Sequence, residues 1–221
     1  MRALYLFITW IRCFKLPALL AGIVCLCTLA VWSAGTNFKL MIVGVIDLAI
    51  VDSQGRGIRE PRIYFSRFQL SGKAQRITAR LGDNGERIRI VNPNGIEVWT
   101  VSLAAADGPA ARWQAGRHSF DYNDPSQLGH DADGDQYAGV LAIDTDSMGV
   151  AGIGATSVRA LLWGDRIVYQ SAVVESIDII RAYPGADRYG GWELWNILFE
   201  QLIPPAQPVG DYRMDFVLTF M

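Results

Sequence analysis

The chain has 221 residues, of which 51% are hydrophobic and 19% charged, and its formal net charge is −2 at pH 7. A slightly acidic chain without a basic stripe is not expected to bind the phosphate backbone of a nucleic acid. All three cysteines, Cys13, Cys25 and Cys27, lie near the N-terminus. The rest of the chain therefore forms neither a disulfide nor a thiolate metal site. Only two histidines are present, which excludes a multi-histidine metal centre.

The N-terminal segment is a cationic stretch followed by an apolar one. Arg2, Arg12 and Lys15 precede an uncharged run at residues 16–34. This order is typical of an export signal, and the run approaches the roughly 20 residues that a helix needs to cross a bilayer. We therefore predict a hydrophobic signal or anchor helix within residues 1–36, with the following chain outside the cell. The pattern is compatible both with cleavage and with retention, in which case residues 16–34 hold the protein in the membrane.

Beyond the leader, short β-branched runs alternate with clusters of Gly, Asp, Asn and Pro, which is typical of an all-β protein. The predicted strands are 38–51, 62–70, 86–91, 96–105, 137–145, 158–163, 176–182, 192–199 and 212–220. Residues 192–199 are also compatible with one or two helical turns. About nine strands are more than one open sheet normally buries well. We therefore predict that residues 37–221 form a single extracellular domain, a two-sheet antiparallel β-sandwich.

An acidic turn follows the middle of this domain. Asp131, Asp133 and Asp135 stand on alternate residues around a glycine, and Asp124 precedes them. Carboxylates spaced in this way can converge on one Ca²⁺, which takes six to eight oxygen ligands in irregular geometry. We therefore predict a Ca²⁺ site formed by these four residues. The spacing is not that of an EF-hand, since Ala142 stands where a bidentate Glu is required, and a solvated turn without metal is the alternative.

Seven tryptophans and eight tyrosines provide flat rings that can stack on sugars or anchor interfaces. Trp99 and Trp195 belong to apolar strands, which predicts that they lie in the core. Trp113 lies in a polar stretch and Trp192 follows two glycines. We therefore predict that these two rings are exposed and bind a ligand. The alternative is that each ring simply caps the sandwich.

Motifs for catalysis are weak. The glycine-rich residues 148–155 lack the Lys-Ser/Thr of a phosphate-binding loop, and no Gly-x-Ser-x-Gly elbow is present. Glu193 and Glu200 are conceivable as the acid and nucleophile of a glycosidase, although surface carboxylate pairs are far commoner. We therefore expect a protein that is not an enzyme.

Several runs resemble those of secreted β-proteins from small-genome candidate-phylum bacteria. They are residues 87–92, 99–105, 113, 120–124, 131–135, 203–208, 211–212 and 218–219. More distantly, the chain is similar to the WxL cell-wall-binding domains of Gram-positive surface proteins, through Trp192-Glu193-Leu194 and the near match Trp99-Thr100-Val101. These domains are β-rich and non-catalytic, so the resemblance implies a surface β-sandwich with no active site. Residues 212–221 lack the tryptophan that WxL domains carry in their terminal strand.

These observations predict an exported, non-catalytic cell-surface protein that binds cell-wall polymer, a glycan or a surface protein. The alternative is a structural subunit of a pilus or surface layer. In that case residues 38–51 or 212–220 would pair with a neighbouring subunit by strand addition.

Overall fold

The computed structural model describes residues 35–43, 47–68, 71–125 and 137–221. They belong to one compact unit, Ala34–Met221, and their regular structure consists of strands without a helix, which confirms the predicted all-β class. No helix in these ranges is long and apolar enough to span a membrane. The predicted signal or anchor helix falls on residues outside the described ranges.

The described strands, in chain order, are β1 Gly35–Val43, β2 Asp47–Val51, β3 Arg62–Tyr64, β4 Gln75–Leu81, β5 Arg87–Val91, β6 Trp99–Ala105, β7 Trp113–Ala115, β8 His118–Phe120, β9 Asn123–Asp124, β10 Gly139–Asp144, β11 Gly149–Gly152, β12 Leu161–Leu162, β13 Arg166–Val168, β14 Ser176–Ala182, β15 Gly191–Trp195, β16 Ile197–Ile203 and β17 Asp211–Phe220.

The largest sheet has the strand order β12-β14-β6-β17-β1-β3, with β7 beside β17 and β8 beside β7. At its centre, β1 and β17 run parallel over nine residue pairs, from Gly35 opposite Asp211 to Val43 opposite Thr219. The other described pairs in this sheet are antiparallel. Every second side chain of β17 is buried, because successive residues of a strand point to opposite faces.

The two smaller sheets have the orders β13-β10-β16-β4 and β11-β15-β5-β2, with β9 beside β10. They follow one another along the chain, since β4 leads into β5, β10 into β11 and β15 into β16. The break falls at Asn196, whose φ of 62° is in the left-handed region. Its side-chain amide donates to the carbonyl of Ser147 at 2.6 Å, and its backbone N–H donates to Leu81 at 2.8 Å. Asn196 therefore joins all three chain segments where the two sheets meet.

Aromatic side chains fill the space between the large sheet and the smaller ones. The ring of Phe38 on β1 lies 5.1 Å from that of Phe199 on β16, and the rings of Trp99 on β6 and Trp192 on β15 are 5.1 Å apart. Burial of large rings between packed sheets is the main stabilising contribution that such an architecture offers. The layers therefore pack as in a β-sandwich.

Three details differ from the expected sandwich. The described residues form seventeen strands instead of about nine, because two predicted runs each contain two strands and six strands lie outside the predicted runs, namely β4, β7, β8, β9, β11 and β13. The hydrogen bonds define three sheets instead of two. The pairing is not wholly antiparallel, because β1 runs parallel to β17.

Candidate functional site

Trp113 and Trp192, predicted to be exposed, are both 0% exposed in the structure. The indole N–H of Trp113 donates to Gln201 Oε1 at 2.9 Å, and that of Trp192 donates to the carbonyl of Ser157 at 2.9 Å. The expected exposure of both rings is therefore wrong. Each occupies an inward position of its strand, next to an outward residue: Gln114, beside Trp113, is exposed, and Glu193, beside Trp192, is half-buried.

Trp99 and Trp195 were expected in the core, and only Trp99 is, at 1% exposure. Trp195 points to the outer face of its sheet and is half-buried. Its ring covers Gly149 on the neighbouring strand so closely that a Cβ there would overlap it, and the Arg87 guanidinium lies 5.5 Å from the ring centroid. An aromatic side chain that covers a glycine opposite it compensates for the missing side chain. Trp195 therefore has a structural role.

Of the predicted calcium ligands, Asp131, Asp133 and Asp135 lie outside the described residues. Asp124 lies on β9 opposite Gly139 of β10 and is 1% exposed. Within the described ranges, no group of three or more His, Cys, Asp or Glu side chains is placed to hold a metal ion. The calcium site of the acidic turn stays a prediction.

Glu193 and Glu200 each lie between two arginines on the outer face of the smaller sheets. Glu193 contacts Arg87 and Arg89, both at 2.6 Å, and Glu200 is likewise paired with two arginines. Burial on its own would raise the pKa of each glutamate, but the arginine hydrogen bonds outweigh it and the pKa of both is lowered. A glycosidase acid needs a raised pKa, so this pair is not suited to that chemistry.

Among the described residues, a groove of about 410 Å³ lies on the outer face of the large sheet. Its lining residues are Asp107, Arg112, Gln114, Gly116, Arg213, Met214 and Asp215. Two further crevices have volumes of about 60 and 10 Å³. Binding sites for small ligands usually measure about 300–1,000 Å³, so the groove is the candidate functional site.

The path of the chain beside β17 creates this groove. Strand β6 pairs with β17 only from Phe216 to Phe220, and β7 pairs with it at Arg213 opposite Gln114. The backbone N–H of Ala106 still donates to Asp215 of β17 at 2.9 Å, and the connecting residues 107–112 then leave the sheet between these two points. Trp113 fixes β7 from beneath, with its ring 5.7 Å from that of Phe65 and perpendicular to it. The buried tryptophan therefore holds the strand that presents Gln114 to the groove.

The groove presents two arginines and two aspartates together with the amide of Gln114. The Arg112 guanidinium also lies over the ring of Tyr137, 4.6 Å from its centroid. Formal charges in the lining cancel, while guanidinium forks, carboxylates and an amide offer many hydrogen-bond donors and acceptors. This combination suits a polar ligand without a large net charge, such as a chain of sugars.

The sequence singles out Trp113 in this stretch, whereas the side chains that line the groove are those of Arg112 and Gln114. In the segment from Ala111 to Ala115, Ala111 and Trp113 are buried and Gln114 is exposed. A strand with period two directs residues 112 and 114 to the face opposite Trp113.

Comparison with known proteins found no matching family model and no matching curated protein.

Proposed function

We propose that this protein is an exported, non-catalytic cell-surface module that binds a cell-wall glycan polymer in the groove that residues of β7 and β17 line. The observation that carries the proposal is the groove itself, with its volume of about 410 Å³ and its charge-balanced lining. Neutral sugars are recognised by many directional hydrogen bonds and not by net charge. Export is supported by the cationic and apolar order of the leader.

The alternative of subunit assembly by strand addition requires an open strand edge. Strand β17 is bordered by β1 along one edge and by β6 and β7 along the other. Strand β1 in turn is bordered by β17 and, over Asn37–Lys39, by β3. A strand donated to β17 or to the paired part of β1 would have to displace one of these partners. Strand β2, which also lies within residues 38–51, is the terminal strand of its sheet and has β5 as its strand partner on one side, so strand addition at β2 stays the alternative to the groove.

A pull-down with isolated cell-wall sacculi tests the proposed function. The full chain, in a mild detergent, is incubated with sacculi and the bound fraction is measured at increasing protein concentration. Arg213→Ala removes an exposed guanidinium from the groove. Since hydrogen bonds to charged groups contribute about 1.5–3 kcal/mol, we expect retention to weaken about tenfold or more.

Arg159→Ala is the matched control, because it removes an exposed arginine that does not line the groove. It should leave retention unchanged. Failure of the unmodified chain to bind sacculi would contradict the proposed function. Equal losses in the two variants would show that binding depends on general surface charge and not on the groove.

A further inference from the structure

A row of polar side chains continues the groove across the outer face of the large sheet. Tyr64 on β3 lies opposite Asn37 on β1, and Asn37 lies opposite Arg213 on β17. Arg213 lies opposite Gln114 on β7, which in turn lies opposite Ser119 on β8. Neighbouring strands are about 4.8 Å apart, so this row of five residues is about 19 Å long.

The members of this row differ in exposure and in chemistry. Tyr64 is 63% exposed at one end, Arg213 and Gln114 are exposed, and Asn37 and Ser119 are half-buried. A hydroxyl, two amides and a guanidinium supply donors and acceptors along the row. An exposed tyrosine presents a flat apolar face, which can stack on the C–H face of a sugar ring.

The row next to it along the strands carries charges of both signs. Lys39 lies opposite Asp215 and opposite Arg62, and Arg62 forms an ion pair with Glu60 at 3.6 Å. The two cations Arg62 and Lys39 are matched in number by the carboxylates Glu60 and Asp215, so this face does not select a polyanion. The two rows together are about 7 Å deep, which is one repeat of side chains along a strand.

We infer that the groove is one part of a longer track that ends at Tyr64 and takes a linear, uncharged amino-sugar oligosaccharide of about four units. The inference rests on the proposed function and names the substrate class of the same site. A track about 19 Å long matches roughly four sugar rings in an extended chain. The amides of Asn37 and Gln114 can pair with the acetamide groups that such sugars carry.

The test measures the dissociation constant of the full chain for β-1,4-linked N-acetylglucosamine oligomers of two to six units. Affinity should rise with each added unit up to about four and then remain constant. Tyr64→Ala should weaken binding of the four-unit chain about tenfold, the effect of losing one aromatic contact, and leave binding of the two-unit chain unchanged. Tyr64→Phe should retain the affinity, because stacking does not need the hydroxyl group.

Tyr189→Ala is the matched control. It removes a tyrosine that is 78% exposed but packs against Gly95 in the turn before β6, and it should change no dissociation constant. A plateau at two units, or no effect of Tyr64→Ala on the four-unit chain, would overturn the extended track. Retention on sacculi without binding of any oligomer would overturn the substrate class and leave the proposed function standing. If the chain neither bound the oligomers nor was retained on sacculi, the proposed function itself would be contradicted.

Discussion

Gly139 occupies a position at the start of β10 where a side chain has no space. Its φ is +149°, and a Cβ at this position would overlap the backbone carbonyl of Asp121. Because the neighbouring atom belongs to the main chain, it cannot move aside as a flexible side chain would. Close approach of two backbones is one of the few contexts that require glycine.

Gly139→Ala should therefore lower the free energy of unfolding by more than about 3 kcal/mol, through backbone strain and overlap together. Gly108→Ala is the matched control, since Gly108 also has positive φ, +75°, but has no atom within 4 Å of the added Cβ. It should cost about 1 kcal/mol. Urea unfolding measures both, and equal losses would show that the contact with Asp121 does not constrain the fold.

The sequence predicts only part of the candidate site, as individual residues show. Trp113 and Trp192 stand out by residue type, but their burial follows from the face on which they lie. The surface residues Gln114 and Arg213 of the groove have no unusual spacing, since they come from two strands that are distant in the chain. Pairing of β7 with β17, which the sequence does not encode locally, brings them together.

At the scale of strands, the alternation of apolar and polar residues was sufficient to predict a strand where one face is buried and the other is not. Residues 86–91 and 176–182 were expected as strands and form β5 and β14. Residues 192–199 form β15 and the start of β16 and not helical turns. Strand β4 was not expected, because polar residues on its outer face mask its buried positions. The parallel pairing of β1 with β17 joins the two ends of the domain, and no local pattern predicts it.

The bend at Asn196 gives the second stability prediction. Asn196 accepts a hydrogen bond from Arg80 at 2.9 Å and donates one to Ser147 at 2.6 Å, while its φ of 62° disfavours most residues. Asn196→Gly should lose only the hydrogen bonds, at about 1 kcal/mol. Asn196→Ala should lose these hydrogen bonds as well and add the strain of a left-handed backbone. Its free energy of unfolding should therefore fall by about 2 kcal/mol or more. Equal unfolding free energies for the two variants would contradict the role of φ.

The predicted calcium site of the acidic turn leads to a prediction about thermal stability. If Asp131, Asp133 and Asp135 bind Ca²⁺ together with Asp124, removal of the ion should lower Tm, because a ligand bound only by the folded state stabilises it. Calorimetry with added calcium and with EDTA measures this shift. Asp133→Asn should reduce it, whereas Asp83→Asn, in the turn after β4, should not. An unchanged Tm in calcium and EDTA would rule out a stabilising site.

At the scale of the whole molecule, the two outer faces of the sandwich differ in the side chains that they carry. The large sheet carries the groove and the row that extends to Tyr64. The smaller sheets carry the two glutamates, each held by two arginines. The arginines come from a neighbouring strand, except Arg166, which reaches Glu200 across β10. These ion pairs lie across strand boundaries, so they connect β4, β13 and β16 in one case and β5 with β15 in the other.

This arrangement makes stability depend on pH in the acid range. The pKa of Glu193 and of Glu200 is below the ordinary value of 4.5, because arginine hydrogen bonds outweigh the effect of burial. A carboxylate with a lowered pKa contributes stability that is complete above its unfolded pKa and is lost as pH falls through its folded pKa. The free energy of unfolding should therefore start to fall as pH approaches 4.5 and decrease further below it.

Urea unfolding at a series of pH values between neutral and acid conditions measures this dependence. The double variant Glu193→Gln and Glu200→Gln should be less stable at neutral pH and should show a shallower decrease in acid, since two of the titrating groups are absent. Glu175→Gln, an exposed residue in the turn before β14, is the matched control and should keep the original slope. A double variant with an unchanged slope would show that other groups cause the acid sensitivity. Linkage requires that a group responsible for the slope has different pKa values in the folded and unfolded chain.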